Sequence, residues 1–508
     1  MSNSEAVGKR IKFGNWLPTT KPTLGGVPWL GWGVLLGGIL LLVGLLVFGH
    51  PLAGVASVLV AGVIVVVFQV RWGDRQAGRT IAARVGDRWS HSSRHSAGNT
   101  TYKTGLFTAL PDDAVTALPG ALADMSEISG EDGMGEEYVL LHHRKNSPAP
   151  TLAATMLCSP DGTKLQPQES IDSQVSAYGG WIAGLSKDSA IEGAVVVVDS
   201  TLASTEPLVE KIASEVSSTA PRVAQEALME AAYALPARYS SVEVFATVVW
   251  SQKDLADSLE DAAAEVAAKL PDHRAKLAAS GAGQPVVATS EDLARVVRVA
   301  YRPDREREFG SDDLAGHSFR MKVTQAGPDE FNDDDRRVCF HDGVASMTVM
   351  MTVPPQAHIT ETTLEELFAP QDRFLRKRVA IFYRPLTPAQ AIKRATELRR
   401  NAGVSATAKA QPSMFDKHQE KLAEKAEGEL VTGASMTRFA IMVTVTFEPT
   451  KRALRDATQK LKATLEGTGI SYRFVETDTS AAFHATLPLG LLPWTYQTPA
   501  QAITEGSV

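Results

Sequence analysis

The chain has two cysteines in 508 residues, Cys158 and Cys339, far apart and with no CxxC. That excludes a disulfide framework and a cysteine-rich zinc site, and it suits a reducing compartment. A phosphate-cradling Gly-x-x-x-x-Gly-Lys-Ser/Thr loop is also missing. The nearest glycine text, Gly467-Thr468-Gly469, lacks the lysine that must reach the phosphates, so nucleotide hydrolysis by this chain alone is not expected. Charge is absent from two stretches: residues 29–48 carry none over twenty positions, and 52–70 none over nineteen, with Gln69 strongly polar near the end.

What those uncharged runs contain is apolar, and at 1.5 Å rise per residue each spans roughly 30 Å, the thickness of a bilayer core. The break between them, Gly49-His50-Pro51, is too short to carry a folded domain, so a transmembrane hairpin is expected. Gly33 and Gly37 on the first helix, and Ala53, Ser57 and Ala61 on the second, fall at the four-residue spacing that lets helix backbones pack closely. A cleavable signal peptide would have a shorter core, a small-residue cleavage site and no second span directly behind it.

Basic residues flank both ends: Lys9, Arg10, Lys12 and Lys21 before, and Arg71, Arg75, Arg79, Arg84 and Arg88 after. The positive-inside rule then places both termini in the cytoplasm of a cell membrane. Arg71, Arg75 and Arg79 repeat every four residues and can either contact lipid headgroups or serve only to fix this topology. Residues 1–99 hold ten basic and three acidic side chains, a balance of +7, which against −7 for the whole chain leaves −14 on the remainder. That acidic balance opposes nucleic-acid binding.

About 410 residues remain for soluble structure, enough for two or three domains. The expected division is a cytoplasmic segment 1–27, the hairpin 28–71, a basic juxtamembrane stalk 72–101 and a first α+β module 102–283. A middle segment 284–374 follows, with an acidic loop at 327–335, and then a second α+β module 375–508. An internal duplication supports it. A strand at 193–199, helices at 206–216 and 222–235, a strand at 241–250 and a helix at 254–270 are repeated as strand 378–383, helices 388–400 and 416–430, strand 437–447 and helix 450–465. Matching apolar stripes run through Leu255, Leu259, Ala262, Val266 and Leu270, and through Leu454, Ala457, Leu461 and Leu465. The expected fold class is α+β, the hairpin followed by tandem ferredoxin-like modules in the cytoplasm.

Reactive side chains form no familiar constellation. His91 and His95 are four apart, but the glutamate and third ligand of a catalytic zinc site are missing. Adjacent His142 and His143 sit in a strand-like run and point to opposite faces. Cys339-Phe340-His341-Asp342 offers nucleophile, base and orienter in four residues, without an oxyanion hole or nucleophile elbow. The acidic groups at 333–335 and 304–308 lack EF-hand order, and Arg305, Arg307, Arg336 and Arg337 neutralise them, so they read as solvated faces. No catalytic, cofactor or metal residue is therefore assigned.

Resemblance adds a class. Ser480-Ala481-Ala482-Phe483-His484-Ala485-Thr486-Leu487-Pro488-Leu489-Gly490 is similar to the closing segment of a family of actinobacterial integral membrane proteins found with conjugation-type secretion ATPases. Phe13-Gly14-Asn15-Trp16, Tyr102-Lys103-Thr104-Gly105-Leu106 and Ala300-Tyr301-Arg302-Pro303 also match that family's text, as does the 378–385 strand leading into Pro388-Ala389-Gln390-Ala391. The family resembles the non-catalytic half of TraC-like conjugation ATPases, and the topology resembles EccE of type VII secretion. Asp478 and Thr479 depart from the family's Gly-Gln. The resemblance implies a non-enzymatic membrane scaffold in an oligomeric secretion or conjugation complex, with an ATPase or sibling subunits as partners. The alternatives are an EccE-like component, a membrane-tethered ligand sensor and, last, an enzyme centred on Cys339, His341 and Asp342.

Overall fold

Two uncharged helices stand near the start of the described chain: α1 (Trp29–Val47) and α2 (Pro51–Gln69), nineteen residues each. Gly49, at a φ of +80°, ends α1 with the two bonds of a Schellman motif. The His50 N–H donates to Leu45 O at 2.8 Å and the Gly49 N–H to Leu46 O at 3.1 Å. Pro51 then occupies the first position of α2, where a missing N–H costs nothing. The computed structural model describes residues 23–24, 27–69, 71–72, 79–104, 118–132, 135–144, 149–160, 162, 165–236, 238–306, 309, 321–355, 361–407, 414–431 and 433–495. Among the described residues no helix is long and apolar enough to cross a membrane; described side chains cover 33–47 of α1 and 52–65 of α2.

Short antiparallel ladders bracket the hairpin: β1 (Thr23–Leu24) with β2 (Val27–Pro28), and β3 (Arg71–Trp72) with β4 (Arg79–Thr80). The stretch read as a stalk is a helix, α3 (Ile81–Ser96), followed by β5 (Thr101–Lys103), which is already a strand of the main sheet. Its serine and histidine content looked like linker text, but those side chains either face water or dock.

The remainder is a mixed α+β fold on an antiparallel sheet. Strands β6 (Met125–Glu131), β7 (Glu137–His143) and β8 (Thr151–Cys158) lead into α4 (Gln168–Leu185) and β9 (Ile191–Ser204). Helices α5 (Glu206–Glu215) and α6 (Arg222–Tyr233) connect to β10 (Arg238–Ser251). Then come α7 (Gln252–Leu255), α8 (Leu259–Ala279) and β11 (Val286–Val287). After α9 (Ser290–Tyr301), β12 (Glu330–Asn332) and β13 (Cys339–His341) comes the second set: β14 (Val344–Val353), α10 (Glu365–Phe368), β15 (Arg376–Pro385), α11 (Pro388–Thr407), α12 (Met414–Val431), β16 (Thr437–Phe447), α13 (Lys451–Gly467) and β17 (Ser471–Phe474). A short α14 (Thr479–Ala485) and the tail to 495 close the described chain.

The spatial order exposes the repeat. β8, β9, β10 and β11 lie in the order β9-β10-β8-β11, and β14 to β17 in the order β15-β16-β14-β17. Each set is thus ordered second, third, first, fourth. β9 and β15 pair through seven register positions, from Lys377↔Ser200 to Tyr383↔Ala194, and fuse the sets into one thirteen-stranded sheet. The segment read as a middle region, 284–374, supplies β11 to the first set and β14 to the second.

Strand alternation sends the two faces to different covers. On one face Leu152, Ala154, Val248 and Trp250 pack with α4 and α8, and Val379, Val443 and Val445 with α13. The helix start at 254 is corrected: Ser258 caps α8 by accepting from the Asp261 N–H, after the one-turn α7. On the other face Val195, Val197, Phe245, Ala380 and Phe382 are covered by α9 and the closing segment. Leu487, Leu489 and Leu492 of that segment are wholly buried, each stabilising by about 1.5–3 kcal/mol.

Candidate functional site

The hairpin seam is set by which small residues face the other helix. A Cβ on Gly38 would meet Ala61 Cβ at 2.7 Å, and one on Gly54 would meet Leu42 Cδ1 at 2.8 Å. Ser57 Oγ donates to the Gly38 carbonyl at 3.2 Å and to that of Gly54 at 2.7 Å. Ser57 and Ala61 therefore lie against Gly38 in the seam, whereas Gly33, Gly37 and Ala53 are exposed. A strict four-residue step gains about 40° per turn and walks off the contact, so the seam follows 54, 57 and 61 instead. Leu40, Leu52 and Leu59 point away from the partner helix and are exposed.

Of the three arginines read as headgroup or topology residues, Arg71 and Arg79 lie in the β3–β4 ladder, opposite Thr80 and Trp72 respectively. Arg75 lies outside the described residues, as do Lys9, Arg10, Lys12, Lys21 and the Phe13-Gly14-Asn15-Trp16 text.

Directly after the ladder, α3 is clamped to the sheet domain. His91 is buried and its Nε2 donates to the Asp333 carbonyl at 3.1 Å. Arg94 bonds the Thr477 carbonyl, reaches Asp478 Oδ1 at 3.2 Å and lies 3.7 Å from Asp333 Oδ2. His95 Nδ1 pairs with Asp334 Oδ1 at 2.8 Å. The Thr479 hydroxyl donates to the Asp333 carboxylate. Asp478 and Thr479 are thus the positions that hold Arg94 and Asp333. Burial pushes the Asp333 carboxyl up to about 6, against Thr479 and Arg94, which both favour the ionised form. Beside the clamp, a cleft of about 410 Å³ is lined by Arg84, Asp87, Arg88, Arg336, Arg337 and Glu476.

The acidic clusters read as solvated faces are corrected at two positions. Asp333 is buried, and Glu306 bonds the interior Arg376 at 3.0 Å. Asp334 and Asp335 do stay near the surface, Asp335 accepting from the Arg337 N–H at 2.8 Å. Nothing local marks Asp333 out from its neighbours, because its burial depends on α3, some 240 positions away. Arg376 also takes Asp199 at 2.8 Å and Glu243 at 3.2 Å. Burial alone would lower its pKa, but the three carboxylates together raise it. Arg378, two positions on, is buried with no hydrogen-bond partner for its guanidinium among the described residues, and lies 4.6 Å over the Phe483 ring. Burial lowers it to about 10. The expected strand begins at Arg378, whereas β15 begins at Arg376, so Arg376 and Lys377 lie outside the expected strand. Alternation into a buried strand was the available signal.

The Cys339-His341-Asp342 group is dispersed. Cys339 and His341 share a buried face, but burial drives the thiol far above its usual range and lowers the imidazole to about 3. His341 Nε2 meets Ser346 Oγ at 2.8 Å, its Nδ1 meets the Tyr301 carbonyl, and Asp342 Oδ1 turns away to accept the Glu330 N–H at 2.9 Å. His142 reaches Gln252 at 3.0 Å and His143 the Leu489 carbonyl at 2.7 Å, on opposite faces. Among the described residues no group of three histidine, cysteine or carboxylate side chains is placed to hold a metal. No protein-family model matches this chain, and no curated protein matches it.

Proposed function

We propose that the chain is a non-enzymatic membrane-anchored scaffold, with α1 and α2 crossing the bilayer and the sheet domain in the cytoplasm. The observation that carries this is the hairpin. Two nineteen-residue uncharged helices meet along a small-residue seam and turn leucine and valine outward, the reverse of a hairpin that packs in water. The class of machinery, a secretion or conjugation apparatus, rests on the resemblance of the closing segment. The domain itself is two sets in the strand order of ferredoxin-like units. Its broad sheet offers docking surface to an ATPase or sibling subunits. A sensor would need a polar pocket between the two sets, and the β9–β15 ladder closes that space. An enzyme centred on Cys339 would need a reachable thiolate, and this thiol is buried.

Two measurements test the reading. The protein should remain in the membrane pellet after alkaline carbonate extraction, and external protease on intact cells should leave the sheet domain whole. Release by carbonate, or cleavage of the domain from outside, contradicts it. Affinity purification from native membranes should bring down a secretion ATPase or channel subunit, and recovery of neither would remove the scaffold role.

A further inference from the structure

We propose that α3 lies along the bilayer surface, with Val85 and Trp89 in the headgroup zone of the membrane that the hairpin enters. The inference rests on the membrane reading of the hairpin and adds a second, peripheral contact to it.

The helix is two-sided. At 100° per residue, Arg94 sits about 180° from Val85, and the docked residues His91 and Arg94 fall within one arc. His91 is buried and Arg94 reaches Thr477 and Asp478, so that arc belongs to the domain. Val85, Trp89, Ser92, Ser93 and Ser96 occupy the opposite arc, all exposed, with Trp89 at 78 %. Arg88 lies about 20° from His95 in phase and lines the cleft beside the clamp, so it belongs to the docked side.

Position and chemistry identify what covers this face. The β3–β4 ladder folds the chain back immediately after α2, so α3 starts at the base of the hairpin. An indole carries a flat apolar body and one N–H donor, which suits the boundary between acyl chains and headgroups, and tryptophan concentrates there. A bilayer on that arc leaves the opposite arc free for His91, Arg94 and His95 to hold the domain. The sheet edge bearing β5 and β12 is thereby kept against the membrane, not hung from a free tether.

The test uses the full chain reconstituted in vesicles of phosphatidylcholine and phosphatidylglycerol, with a bimane on a single introduced cysteine. Cys158 and Cys339 are buried and stay unlabelled. Probes go on Ser92→Cys in the outward arc, Val43→Cys in α1 and Glu226→Cys on α6. Quenching is read with nitroxide lipids labelled at the headgroup or deep in the acyl chain. Expected is that headgroup nitroxide removes most of the emission at position 92, deep nitroxide that at 43, and neither that at 226. Adding Trp89→Glu should restore much of the emission at 92. If 43 is quenched while 92 behaves like 226, α3 does not touch lipid and this inference falls with the hairpin reading intact. Should 43 also be unquenched, the membrane reading itself fails. Quenching at 92 that ignores Trp89→Glu would remove Trp89 as the anchor and overturn the arrangement.

Discussion

Arg378 on β15 lies directly opposite Asp199 on β9 across the seam that joins the two repeats, yet the Asp199 carboxylate is bound at 2.8 Å by Arg376, one turn of the pleat away. Two arginines on one buried face therefore have opposite energetic roles. Arg376 is satisfied by three carboxylates, and deleting it strands them; a broken buried pair typically costs about 3–5 kcal/mol. Arg378 has no bond to lose, so an apolar side chain of similar length should shift stability by less than about 1 kcal/mol or raise it. Urea unfolding of Arg376→Met and Arg378→Met in detergent separates the two; equal losses would show that Arg378 is partnered after all.

Gly490 fixes the closing segment onto the sheet. Its φ is +77°, and a Cβ there would meet Ala153 Cβ at 2.4 Å and Val249 Cγ2 at 3.2 Å. Gly490→Ala combines left-handed strain with overpacking and should cost about 2–4 kcal/mol. Urea titration against wild type provides the measurement, and a cost below about 1 kcal/mol would mean the segment relaxes freely.

The hairpin seam can be probed by neighbours. Gly38→Ile should open the pair, since even a methyl clashes with Ala61, whereas Gly37→Ile adds a side chain with nothing within 4 Å. The expected difference is about 1–3 kcal/mol in favour of Gly37→Ile. Thermal scans of the two variants in the same detergent check it, and identical midpoints would put the seam elsewhere.

Asp333 gives a pH signature. Its folded pKa, near 6, lies above the ordinary carboxylate value of 3.8, so the native state binds the extra proton between them. Its contribution is therefore complete below about 3.8 and is lost as pH rises through 6, a swing of about 3 kcal/mol. Asp333→Asn should remove this fall, with His91, Arg94 and Asp478 remaining around the site. Urea midpoints across pH 4–7 read it, and an unchanged profile in the variant would assign the fall to another group.

Neither cysteine should react in the native protein. Burial pushes the Cys158 thiol up to about 11 and that of Cys339 higher still. Iodoacetamide labelling followed by intact mass should show no adduct until denaturant is added. Rapid alkylation of native Cys339 would revive it as a nucleophile.

Legibility in the sequence followed the range of the interactions. The strand at 437–447 and the helix pairs flanking it were readable because apolar periodicity is local, and β16 occupies those same residues. The seven-pair joint of β9 to β15 was not, because periodicity says which face of a strand is buried and nothing about its neighbour. α3 was missed because its helix is held from outside, by Asp333, Thr477 and Asp478, and its own text is mostly serine, histidine and arginine. The hairpin was visible as two runs, but its seam needed the actual helix phase: Gly38 and Gly37 are indistinguishable in the sequence and differ only in what stands across from them.

The β9–β15 joint also bears on symmetry. Two sets with one strand order, meeting through antiparallel copies of the same strand, are arranged as the subunits of a two-fold dimer are arranged. Such a dimer must repeat every feature, so it carries two anchors or none. In a single chain that constraint is lifted: the half bearing β14 to β17 adjoins β5, α3 and the hairpin, while the other half ends in β7 and β6. One N-terminal hairpin therefore serves two copies of the unit, and their outer edges face different surroundings.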